Sequence, residues 1–172
     1  MALDHPDRVT SLTLISTSPG EPGPDDPDLP AMSAETVAQF ATGEPDWSDR
    51  AAVIDHLTHL ARVSAGGSRP FDEAAFHGLA GRAFDRTSNF ASSMTNHNVM
   101  DGGERWRERL ANLSTPTLVI HGTEDPVLPY AHGLALAREI PGAELLTLEQ
   151  TGHELPREDW DVVVPAILSH TE

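Results

Sequence analysis

Three stretches of different hydrophobic period follow one another along the chain. Leu12-Thr13-Leu14-Ile15 is a short apolar run with β-branched members, ended by Ser16-Thr17-Ser18-Pro19-Gly20, and predicts a strand closing in a loop. Just before it, Ala2-Leu3-Asp4-His5-Pro6 reads as the last turn of a helix, because the residue before a proline is pushed out of the helical region. Residues 21–30 carry four prolines and read as a linker. From Ser33 to Leu113 the apolar positions take helical spacing: Val37 and Phe40; Val53, Leu57 and Leu60; Phe76, Leu79, Ala80 and Ala83; Phe90 and Met94; Trp106 and Leu110. Four or five short helices and no strand are expected there, with Ser48 as an N-cap and Gly66-Gly67 as a stop.

After Pro116 the period changes again. Thr117-Leu118-Val119-Ile120-His121 is apolar without polar alternation, the mark of a strand buried on both faces of a parallel sheet. The loop Gly122 to Leu128 follows, then a helix from Pro129 with Leu134, Ala137 and Ile140 inward, stopped by Pro141-Gly142. Ala143 to Leu148 predicts another strand and Thr151 to Glu154 a loop. Pro156 to Ser169 predicts a last helix with Trp160, Val163, Val164 and Ile167 inward and Pro165 as its one internal objection. Strand, helical block, strand, helix, strand, helix is a βαβαβ-type order with one large insertion. The fold class is therefore α/β, with about three parallel strands; residues 1–20 and 111–172 form the expected core and 21–110 an inserted helical cap.

Composition narrows the function. At 172 residues the chain can bury a core without staples, and the absence of Cys removes any disulfide, thiolate metal site or cysteine nucleophile. The formal charge of −16, from 27 acidic residues against 11 basic ones, repels a phosphate backbone, so nucleic acid is not an expected partner. Eight acidic residues and no basic one lie between Glu21 and Asp49, a stretch expected to be a solvated face. No signal peptide and no membrane-length apolar run are found, so a soluble cytoplasmic protein with no membrane partner is the expectation.

Candidate chemistry sits in two loops. In an open parallel sheet, reactive groups collect at the carboxyl ends of the strands. Asp125 follows the strand ending at His121, and His153 follows the strand ending near Leu148, so one crossover helix would set the two loops side by side. An Asp that holds and polarises a His is two-thirds of a hydrolytic triad. Glu124 is the rival acid. His56 and His59 lie three apart on an expected helix, yet no third ligand recurs at metal spacing, and His121 and His132 have no partner that the sequence names.

The segment Thr117-Leu118-Val119-Ile120-His121-Gly122-Thr123-Glu124-Asp125-Pro126-Val127-Leu128-Pro129 resembles the acid-bearing strand and loop of the α/β-hydrolase fold family, and Thr151-Gly152-His153-Glu154-Leu155-Pro156 resembles its histidine loop. Within the family, the wording is most similar to the aclacinomycin methyl ester esterases and related hydrolases. The resemblance implies a hydrolase, probed first as a carboxylic esterase for small apolar substrates, with Asp125 and His153 as catalytic acid and base and no metal or organic cofactor. It also implies a nucleophile in a G-x-S-x-G elbow upstream. No G-x-S-x-G occurs here, and Ala2 to Val9 is similar to the end of the helix that follows that elbow. The expectation is a chain without the first five strands, the oxyanion hole and the nucleophile, whether Ser or the Asp that other members use. Ser16, Ser18, Ser92 and Ser93 are not flanked as an elbow requires. Alone, such a chain is expected to be inactive and to leave an apolar sheet edge open for self-association or for a complementing segment.

Overall fold

The computed structural model describes residues 1–96 and 104–172, so part of the expected helical block, residues 97–103, lies outside the described residues. In chain order the regular elements are β1 (Leu12–Ile15), α1 (Ala34–Phe40), α2 (Arg50–Ser64), α3 (Glu73–Arg86), α4 (Phe90–Thr95), β2 (Thr117–Gly122), α5 (Ala131–Glu139), β3 (Glu144–Leu148) and α6 (Trp160–Thr171). They fall into two compact units: Met1–Ser33, Ser64–Arg69 and Arg105–Glu172 form one, Ala34–Val63 and Pro70–Glu104 the other. Among the described residues no helix is long and apolar enough to cross a membrane.

The first unit is built on a parallel three-stranded sheet of order β1-β2-β3. Leu12 stands opposite Thr117 and Ile15 opposite Ile120; on the other side Leu118 pairs with Glu144 and Gly122 with Leu148. β2 is central and every residue in it is buried. Side chains alternate across a strand, so the two faces of β2 serve two cores. Val119 packs with Leu110, Leu113 and, from α5, Leu136, with Ile140 just beyond that helix. Leu118 and Ile120 pack on the opposite face with Leu148 and, from α6, Val163 and Ile167. The unbroken apolar run of β2 is thus the signature of a strand covered twice.

Near Met1 the His5 N–H donates to Met1 O at 2.7 Å, closing one turn, but Pro6 opens a short 3-10 helix, Pro6–Arg8, instead of stopping one, since its fixed φ and missing N–H suit a first helical position. α6 departs from the expected inward set: Val163 is buried and Ile167 packs in the core, whereas Trp160 and Val164 are 45% and 47% exposed. At 100° per residue Val163 and Ile167 share a face and Val164 turns off it. Trp160 lies along the surface instead, its indole N–H donating to Leu155 O at 3.1 Å and its ring under the Arg157 guanidinium.

In the second unit the cap of α2 is Asp49 rather than Ser48. Asp49 Oδ1 accepts from the N–H groups of Ala51 and Ala52, while Ser48 hydrogen-bonds Asp46. A carboxylate one residue nearer the helix meets the orphan N–H groups and favours the dipole. The chain leaves α2 through Gly66 at φ +79°, as the Gly-Gly stop implies. α3 buries Ala80 and Gly81 and leaves Leu79 half exposed. Trp47 stacks on Phe90, which stacks on Phe84, and Arg50 binds Asp85 through two hydrogen bonds.

The acidic stretch is only partly the solvated face expected of it. Asp26 is 1% exposed and receives both Arg105 Nη atoms at 2.5 Å and Arg107 Nη1 at 2.6 Å. Arg107 also binds Asp28 and Glu139, and Arg138 closes the network on the same two carboxylates. Leu29 is buried beside them in the sequence. No base occurs between Glu21 and Asp49, but three arginines arrive from far along the chain, which local charge patterning does not register.

Two outcomes follow for stability. Hydrogen bonding to Arg105 holds the Asp26 carboxyl down at about 2, against burial and with help from Arg107. Its folded pKa lies below its unfolded one, so its contribution is complete above about pH 4 and is lost as pH falls toward about 2. The urea midpoint should fall with acid across that window in the wild type and fall less in Asp26→Asn. Arg107→Met should lower the urea midpoint more than Arg62→Met, because an exposed pair such as Arg62–Glu73 contributes under about 1 kcal/mol, whereas loss of Arg107 strips a buried carboxylate of a partner.

Candidate active site

Because β2 and β3 are parallel neighbours, they end on the same edge of the sheet and their following loops leave together. The backbones there come closer than side chains allow. A Cβ on Gly122 would lie 2.1 Å from Thr151 O, and a Cβ on Gly152 would lie 2.2 Å from Ser64 O. Main-chain hydrogen bonds stitch the crossing: Thr123 N–H to Leu148 O, Glu124 N–H to Thr151 O, and His153 N–H to Ser64 O at 2.8 Å. A further brace runs below the histidine loop, from Thr151 Oγ1 to Asp159 Oδ2 at 2.6 Å and from Asp159 Oδ1 to Arg69 Nη1 at 2.7 Å.

The crossing brings Asp125 and His153 together. Nδ1 of His153 lies 2.8 Å from Asp125 Oδ2. Oδ1 of the same carboxylate accepts the N–H groups of Val127 at 2.9 Å and Leu128 at 2.8 Å, an Asx-type turn that fixes its orientation. Burial pushes the Asp125 carboxyl up, but hydrogen bonds from His121, His153 and the Leu128 N–H more than offset this and hold it well below the usual carboxylate range. Asp125 is therefore an anion that accepts from His153. The imidazole is 32% exposed, and its Nε2 has no hydrogen-bond partner among the described residues.

Glu124, the rival acid, is turned elsewhere: its carboxylate accepts the N–H groups of Gly67 and Ser68 and the Ser68 hydroxyl. His121 and His132 both have partners the sequence did not name. His121 Nε2 lies 2.8 Å from Leu128 O, and His132 bridges Ser18 Oγ at 2.7 Å and Pro30 O at 2.9 Å, each ring fully buried. His56 packs edge-on to Trp47 and His59 bonds Gln39 O. Of the four serines, Ser92 and Ser93 lie within α4, and Ser18 serves His132. Ser16 has φ +43° at the end of β1, yet no helix follows it before Ala34. Thr151, Asp159 and Arg69 were missed by sequence reasoning. Their one local signal is a Thr-Gly-His loop followed six residues later by a buried Asp.

The fold has known counterparts. Residues 1–158 match the family of the alpha/beta hydrolase fold, and the chain belongs to that family. Along 99% of its length it is 25% identical to rhodomycin D methylesterase DauP of Streptomyces sp. (strain C5) and 26% identical to rhodomycin D methylesterase DnrP of Streptomyces peucetius, and it covers 61% of each. Among solved structures, the meta-cleavage product hydrolase CumD of Pseudomonas fluorescens IP01 shares the fold, with a TM-score of 0.67 at 20% identity over 98% of this chain and 58% of that one. The chain thus spans about 60% of the length of these relatives.

The backbone crossing makes a direct forecast. Gly122→Ala places a methyl group against main-chain oxygens that cannot swing aside. It should cost at least about 2 kcal/mol in denaturant unfolding, at the upper end of overpacking effects, whereas Gly67→Ala, with open space around it, should cost far less.

Proposed function

We propose that this chain supplies the acid and the base of an acyl hydrolase, and that the complete protein cleaves carboxylic esters of small apolar molecules with a nucleophile contributed by polypeptide outside these 172 residues. One observation carries the reading: the 2.8 Å contact between His153 Nδ1 and a buried Asp125, with the imidazole 32% exposed and no partner at its Nε2 among the described residues. That arrangement matches the acid and base of a hydrolytic triad, two of its three members.

In the reaction, His153 Nε2 accepts the proton of the attacking hydroxyl as its oxygen adds to the ester carbonyl. The same proton goes to the alcohol oxygen as the C–O bond breaks, and water repeats the cycle on the acyl-enzyme. Asp125 keeps the proton of His153 on Nδ1 and stabilises the imidazolium. Its low basicity keeps it an anion throughout. The naming of two relatives as methylesterases makes methyl esters the first substrates to test. The helical stretch, residues 21–110 in the sequence reading, is assigned the role of a cap that shields the substrate.

A complementing role is favoured by one further observation. Among the described residues β1 pairs with β2 alone, so its outer edge has no strand partner there. The segment bearing the nucleophile, or a second copy of this chain, is proposed to pair there.

The test is p-nitrophenyl and methyl ester turnover by the protein from the complete reading frame. His153→Ala and Asp125→Asn should each lower kcat on the order of 10³- to 10⁴-fold, the scale set by triad variants, and Glu124→Gln should stay near wild type. The 172-residue chain alone should be inert. Robust turnover by it, abolished by His153→Ala, would place the nucleophile inside the chain and contradict the proposal.

A further inference from the structure

Behind the pair stands a third ionisable group that the reaction does not use. His121, near the end of β2, is fully buried. Its Nε2 lies 2.8 Å from Leu128 O, which can only accept, so Nε2 carries the proton. The same nitrogen is 3.4 Å from Asp125 Oδ2, the oxygen that also accepts from His153. Its Nδ1 has no partner among the described residues. A second proton placed there would be a buried donor with no acceptor, so the ring is the neutral Nε2–H tautomer. Nor can the ring retreat: a Cβ on Gly133 of α5 would already lie 2.7 Å from His121 Cβ and Cγ, and Tyr130 meets it edge-on at 6.1 Å.

We propose that His121 is a positioning residue for the Asp125–His153 pair: its Nε2–H, shared unequally between Leu128 O and Asp125 Oδ2, fixes the rotation of the carboxylate and leaves His153 as the one imidazole that takes up charge. The proposal rests on the reading of Asp125 and His153 as acid and base.

Asp125 thus faces four donors, the N–H groups of Val127 and Leu128 on Oδ1 and the two imidazoles on Oδ2. The charged and titratable groups against it are His121 from β2 and His153 from the loop after β3. Glu124 beside it is turned to Gly67 and Ser68, and the Glu154 carboxyl, next to His153, is pushed up by burial toward its uncharged form. Asp125 would otherwise respond to burial by becoming more basic, and a basic carboxylate would compete with His153 for the proton it must hold on Nδ1. A neutral N–H donor lowers that basicity without adding a second cation to repel the imidazolium.

The test is a carbon-13 titration of the Asp125 carboxyl in the full 172-residue chain, which needs no substrate. His121→Phe should let Asp125 take up a proton about tenfold more readily, a change of about one pKa unit, while His121→Gln, which keeps an N–H donor, should restore wild-type behaviour. His153→Phe serves as the parallel arm. If it moves Asp125 and His121→Phe does not, the positioning role is wrong and the acid–base pair stands. If Asp125 titrates in the ordinary range in the wild type and neither variant moves it, the pair itself is wrong and the proposal falls with it. Should His121→Phe fail to fold, nitrogen-15 shifts of the wild-type ring at pH 7 decide the question: a protonated Nε2 and bare Nδ1 are expected, and a proton on Nδ1 overturns the proposal.

Discussion

At Gly122 the carbonyl of Thr151 passes so close to the end of β2 that no side chain fits between them, and the rest of the site depends on that crossing. Parallel pairing of β2 with β3 sets it up, since Gly122 and Leu148 share a register position and the two loops must leave the sheet at one edge. With the main chains in contact, the Asp125 and His153 side chains meet at hydrogen-bond distance. Each partner is then held by its own loop: Asp125 by the amides of Val127 and Leu128, His153 by its amide on Ser64 O and by the Thr151–Asp159–Arg69 brace. The hydrogen bond between acid and base is a consequence of backbone geometry, and the backbone geometry is a consequence of two glycines.

The same logic orders the electrostatics. A buried carboxylate is costly unless its oxygens are satisfied, and two of the buried ones in the first unit, Asp26 and Asp125, are satisfied in different ways. Asp26 is met by guanidinium groups, fixed charges that serve to anchor the segment around it. Asp125 is met by backbone amides and imidazole N–H groups, neutral donors, and of these His153 is assigned the proton that moves. Arginine pairing makes a permanent tie, and imidazole pairing makes a site in which a proton can move. The two clusters show why a strongly acidic chain can hold both a structural and a reactive carboxylate without confusing them.

Much of this was legible in the residues. β2 was readable because Leu118-Val119-Ile120, an apolar run without alternation, has few other uses, and the α5 stripe because Leu134, Ala137 and Ile140 lie between a proline start and a Pro-Gly stop. Leu134, even so, is 45% exposed, because the helix buries the face bearing Gly133, Ala135 and Leu136 against the sheet. Asp125 over Glu124 could be argued from wording alone, but its physical reason, the turn that sends Glu124 toward Ser68, appears only in three dimensions. Val164 and Trp160 on α6 were misplaced because a helix apolar nearly all round gives no phase. The Asp26 network and the partners of His121 and His132 were invisible for a common reason: each joins residues distant along the chain or related by a loop's exact path.

The central claim is that Asp125, and not its neighbour, holds the Nδ1 proton of His153 before any substrate or nucleophile is present. A proton spectrum of the 172-residue chain in its far-downfield region reads that proton directly. A resonance assigned to His153 Nδ1–H is expected, vanishing in Asp125→Asn and persisting in Glu124→Gln. Its absence from the wild type, or its survival in Asp125→Asn, would contradict the account.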